Sequence, residues 1–86
     1  MAVTTRTSAI AHFIVNEFHG GDASLNIDPT EDLLGSGLVK SLEMMRLIEF
    51  LEETFAIRVE PQEMTIENFV SLEAMDQFIA RVTGEA

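Results

Sequence analysis

Cysteine is absent from the chain, which removes disulfides, thiolate chemistry and cysteine-ligated zinc together and allows a reducing compartment. Cations are scarce: five Lys and Arg stand against fifteen Asp and Glu, for a formal charge of −10. Such a field repels phosphate backbones and anionic lipid heads, so it argues against nucleic acid and membrane surfaces as partners and for basic protein surfaces. No stretch approaches the roughly 20 apolar residues that a bilayer span requires, and the N-terminal MAVTTRTSAIAHFIVNEF lacks the continuous apolar centre of a signal peptide. A cytoplasmic location is expected. A strand pattern is missing as well, since IRV at 57–59 is too short to need one.

What remains is ample apolar material. Hydrophobic residues make up 47% of 86 positions against 23% charged, more than a disordered acidic tail would carry. The length suits one compact domain, 1–86, and is short for a cleft between two. The acids are unevenly placed: between residues 41 and 67 stand Glu43, Glu49, Glu52, Glu53, Glu60, Glu63 and Glu67 against Arg46 and Arg58. A solvated surface accounts for this in part, and a surface for partners is the other reading.

Apolar residues at helical spacing, Ile10, Phe13, Ile14 and Phe18, predict a first helix ending at HGGD. From Gly20 to Lys40 the composition turns to Gly, Asp, Ser, Asn, Pro and Thr without a sustained period, and predicts a long structured loop in which DPTEDLL forms a turn. A loop of about twenty residues in so small a chain is more often functional than idle. Ser41 to Phe55, with neither Gly nor Pro, predicts the clearest helix. Advancing about 100 degrees per residue from Leu42 gathers Met44, Leu47, Ile48, Leu51 and Phe55 into one arc, the core face. Leu42 and Met45 fall on the opposite arc, among Arg46, Glu49, Glu52 and Glu53. Pro61 is placed to open a short third helix, and Ser71 to cap a last one carrying Leu72, Met75, Phe78, Ile79 and Val82 and closed by Gly84. The expected fold is all-α: a four-helix bundle of three longer helices and one short helix, with a long loop between helices one and two.

Chemistry is sparse. His12 and His19 have no second ligand cluster nearby. A calcium loop started at Asp22, Asn26 or Asp28 would put Ile27, Glu31 or Leu33 where glycine is required, with no Glu at the twelfth position. GSG at 35–37 lacks the ending of a phosphate-binding loop and reads better as a flexible approach to the helix. No hydrolase signature is present, so neither a catalytic residue nor a metal site is expected. Ser41 is left. A helix N-cap accounts for it in isolation. A hydroxyl between a glycine loop and a charged helix face is also an accessible attachment point, where a phosphodiester would gain from the positive end of the helix dipole.

LLGSGLVKSLEMMRLIEFLEETFAI and ENFVSLEAMDQFI, in this order and with this acidity, resemble the acyl carrier protein family, the phosphopantetheine-bearing domains of fatty acid, polyketide and nonribosomal peptide assembly. Gly37, Ser41 and Leu42 match the attachment signature of that family, a glycine-containing loop followed by Asp-Ser-Leu. The resemblance covers nearly the whole chain and implies a free-standing, monomeric, non-enzymatic carrier. It implies that Ser41 receives 4'-phosphopantetheine from coenzyme A by way of a phosphopantetheinyl transferase, and that the thiol of the arm carries an acyl or aminoacyl group as a thioester. Implied partners are an acyl- or aminoacyl-activating ligase and acyltransferases or synthases, docking on helix two through Leu42 and Met45 with Glu49, Glu52 and Glu53 steering.

Two positions depart. The family usually has Asp where Lys40 stands, beside the serine, where it assists the magnesium-dependent transferase; Lys reverses that charge and predicts slower loading. Arg46 places a cation in a recognition face that is commonly acidic and so restricts which partners dock. ENFVSLEAM is similar to carriers that serve acid-activating ligases, aminoacyl ones included. The alternative function, from another class, is an unmodified helical adaptor that binds basic proteins through its acidic second helix.

Overall fold

The computed structural model describes residues 4–84. Four α-helices and one 3-10 turn follow each other along the chain, and no strand occurs among the described residues: α1 (Thr5–Phe18), α2 (Ser41–Phe55), the turn Pro61–Glu63, α3 (Ile66–Phe69) and α4 (Leu72–Thr83). This is the expected all-α arrangement of three longer helices and one short one. The short helix sits one step later than Pro61 suggested. Pro61 opens the 3-10 turn, and α3 begins only after Thr65.

Two of the three longer helices, α1 and α4, start on a side-chain cap. Thr4 caps α1, its hydroxyl accepting from the Thr7 N–H at 3.1 Å and donating to Asp76 at 3.0 Å, so one side chain joins the start of α1 to α4. Arg6 reinforces the joint through a 2.6 Å ion pair with the same Asp76. Ser71 caps α4 as expected, accepting from the Ala74 N–H at 3.1 Å, and Gly84 closes it at φ 79°. The end of α2 had no sequence signal, because the left-handed position falls on Ala56 at φ 54° and not on glycine. Two N–H groups, of Ala56 and Ile57, turn back to the Glu52 carbonyl there, satisfying an end that would otherwise fray.

The core is built from one face of each long helix. Ile10 and Ile14 of α1, Met44, Leu47, Ile48 and Leu51 of α2, and Leu72, Met75, Phe78 and Ile79 of α4 are all buried. Phe55, placed on the core face by its spacing, is only partly buried. Val82 is 40% exposed, because the stripe of α4 has left the core by its last turn.

The long loop contributes Ile27, Leu33 and Val39 to this core. Its backbone is tied down where these residues enter: the Leu33 N–H donates to the Val70 carbonyl at 2.8 Å, and the Pro29 carbonyl accepts from the Glu73 N–H at 2.9 Å. GSG, expected to be flexible, is instead a run of hydrogen-bonded turns. The Asp32 carboxylate accepts the Gly35 N–H at 2.8 Å, the Asp32 carbonyl accepts the Ser36 N–H at 2.9 Å, and Gly37 takes φ 81° to bring the chain round. The loop therefore delivers the start of α2 to a fixed place.

Candidate functional site

The residue before α2 is Lys40, in extended backbone, and Ser41 is the first helical residue. This settles what Ser41 does locally. It is not the N-cap that its sequence position suggested, and among the described residues nothing hydrogen-bonds its exposed hydroxyl. The N-cap falls to Lys40, whose N–H donates to the Glu43 carboxylate at 2.9 Å. Only that half of a reciprocal cap can form, because an ammonium has no lone pair to accept the first-turn amides. The helix thus begins with amides left without a side-chain acceptor, a free hydroxyl among them, and an exposed cation one residue upstream.

The position of this serine is held from behind. Val39 is buried and its N–H donates to the Leu33 carbonyl at 3.1 Å. The His19 imidazole, at the end of α1, hydrogen-bonds the Leu38 carbonyl at 2.7 Å. His19, given no role from sequence, is in this way a brace between the first helix and the segment entering the second.

Beside Ser41 lies a small, largely apolar cavity of about 170 Å³ between α2 and the turn-α3 segment, lined by Ser41 together with Leu34, Met44, Met45, Ile48 and Phe69. Three residues that line it, Met45, Met64 and Ile66, are exposed hydrophobics, and so is Leu42, next to Ser41 in the chain. Leu42 is 85% exposed and Met45 53%, as the helical wheel predicted, and Ile66 at 69% and Met64 at 45% join them from across the groove. The last two were not found from sequence, since nothing in EMTIENF distinguishes an apolar residue turned outward on a one-turn helix from one turned inward.

The charged residues of α2 divide. Glu49 and Glu53 are exposed, on the same side as Leu42. Glu52 differs: its carboxylate accepts the Val59 N–H at 2.9 Å, while its carbonyl holds the end of α2. It fastens the turn after α2, and is less available for steering than its spacing implied. Arg46 donates to the Glu17 carboxylate at 3.0 Å, so this cation is partly neutralised by the end of α1. Among the described residues no group of His, Asp and Glu has a metal-binding arrangement, and no helix is long and apolar enough to cross a membrane.

Neither a protein-family model nor a curated protein sequence matches the chain. Among solved structures it is similar to the apo form of KstB-PCP, a peptidyl carrier protein, with a TM-score of 0.73 and 33% identity over 88% of this chain and 84% of that one. An all-helical bundle of this order, with a likeness at that level of identity and coverage, defines a class: the chain belongs to the carrier proteins. Carrier proteins are not enzymes, and they work with synthetases and transferases.

Proposed function

We propose that the chain, a single carrier domain spanning 1–86, bears 4'-phosphopantetheine on the Ser41 oxygen and presents an acyl or aminoacyl group to partner enzymes. The observation that carries this reading is the state of Ser41 itself: an exposed hydroxyl, without a hydrogen-bond partner among the described residues, at the first turn of a 15-residue helix. Free first-turn amides and the helix dipole favour a phosphodiester there. The groove of Leu34, Met44 and Phe69 beside it offers the inner part of such an arm an apolar wall. When bound, the group supplies the thiol that a cysteine-free chain lacks, and so a thioester. The residues of the chain fix the attachment point, shield one side of it and surround it with a surface for partners. The similarity to a peptidyl carrier favours aminoacyl over fatty acyl cargo.

Partners in this reading are a phosphopantetheinyl transferase, an activating ligase and acyltransferases or synthases. They meet an apolar centre of Leu42, Met45, Met64 and Ile66, with Glu49 and Glu53 directing basic groups toward it. The −10 charge favours a monomer, because copies of so acidic a chain repel one another. One observation favours the second reading, an unmodified adaptor: Lys40 is exposed and has no carboxylate within ion-pair distance among the described residues. It stands in the way of a transferase that expects an acid there. Incubation with coenzyme A, magnesium and a phosphopantetheinyl transferase, read by intact mass, decides between them.

A further inference from the structure

Four of the six phenylalanines of the chain do not enter the core. Phe18, Phe13, Phe50 and Phe55 form a row along the seam between α1 and α2, every one only partly buried. Phe13 and Phe50 stack at 4.1 Å and 19°, and each meets the next ring edge-on, Phe18 at 5.7 Å and Phe55 at 6.4 Å. The stack joins the two helices, and that accounts for the pair. It leaves unexplained the two open grooves that share this pair as a common wall. The larger, of about 440 Å³, runs between His12 and Asn16 of α1 and Thr54 of α2. The smaller, of about 250 Å³, is bordered by Arg46, Glu49 and Glu53. Neither groove includes Ser41 or the apolar residues beside it.

We propose that this aromatic seam is a second docking surface, and that its occupant is a basic amphipathic helix of a partner protein. Aromatic rings bordering open grooves are suited to apolar anchors, as in helix-in-groove recognition. The rim chooses the sign of the partner. Glu49 and Glu53 are exposed carboxylates, and Arg46, the cation at the border, is already engaged by Glu17. A guanidinium entering there meets two carboxylates, so Arg would be favoured over neutral residues. A second copy of this chain is the wrong occupant, because each copy brings a −10 charge to a rim that is itself acidic. The surface does not depend on the arm, and the inference stands whether or not Ser41 is loaded.

The test uses the full unmodified chain and a synthetic amphipathic helical peptide with Leu and Phe on one face and Arg on the other, alongside a counterpart with Glu for Arg. Titration followed by NMR should shift Phe13, Asn16, Phe50 and Thr54, and the Glu peptide should bind at least about tenfold more weakly. Asn16→Arg with Thr54→Arg adds two cations to the groove without touching the stack, and should weaken the Arg peptide by about tenfold. The same two cations at the exposed Gln62 and Gln77, outside both grooves, should change it by less than about twofold. Shifts confined to Leu42, Met45 and Met64, equal losses in both arginine pairs, or self-association through the same seam would each overturn the proposal.

Discussion

At position 40 an ammonium occupies the place where a helix is best served by an acceptor. Lys40 can neither cap the first-turn amides of α2 nor complement the positive end of its dipole. Lys40→Asp should therefore stabilise the protein by about 1 kcal/mol, raising the melting temperature by roughly 4–8 °C for a domain of this size. An unchanged or lower melting temperature would show that the start of α2 is satisfied in another way. If Ser41 is loaded, the same substitution should accelerate loading several-fold, each tenfold corresponding to about 1.4 kcal/mol of transition-state stabilisation. Two other carboxylates give the loop a pH dependence. The hydroxyl and then the N–H of Ser24 hold Asp22 below the usual aspartate value of 3.8, and the N–H and then the hydroxyl of Thr30 do the same for Asp28. A lowered folded-state pKa means that the contribution is complete above the ordinary value and is lost as pH falls through the lowered one. The amide resonances of Ser24 and Thr30 should accordingly titrate with midpoints below 3.8; midpoints at or above it would contradict the two hydrogen-bonded turns.

Among the elements, α2 is the one whose sequence and structure agree most closely. Its limits, its buried face and the outward Leu42 and Met45 all follow from spacing, because 15 residues without Gly or Pro leave one arc to bury. How its end is satisfied and what one of its acids does were not legible, because both depend on backbone N–H groups that approach from the following turn. Glu52 fell on the outer arc by position, yet it accepts the Val59 N–H, a pairing that spans seven residues and has no sequence pattern. Glu52→Ala should destabilise the protein by about 1–3 kcal/mol, while Glu52→Gln, which keeps an acceptor oxygen, should lose much less. Equal losses in thermal or urea unfolding would assign the effect to burial of the stem. The 3-10 turn and α3 were the least legible part. Met64 and Ile66 are as apolar as core residues, and only the packing of a four-residue helix decides that they face out.

For the whole molecule, charge and attachment are separable. Glu49→Lys with Glu53→Lys should slow association with a basic partner enzyme and leave helicity intact, and added salt should weaken the native complex; binding indifferent to both would leave Leu42, Met45, Met64 and Ile66 as the main determinants. Glu52 is left out of that test because its removal would also loosen the end of α2. Composition showed the sign of the surface and helical periodicity showed the bundle, but neither could show that the Ser41 hydroxyl has no partner among the described residues, since that depends on Lys40 taking the cap position ahead of it. The central claim rests on that hydroxyl. Its most direct measurement is an intact-mass time course of the wild type and Ser41→Ala with coenzyme A, magnesium and one phosphopantetheinyl transferase. The account predicts a slow gain of one phosphopantetheinyl group by the wild type and none by Ser41→Ala. Loading of Ser41→Ala, or a wild type that remains unmodified while Lys40→Asp remains unmodified too, would contradict it.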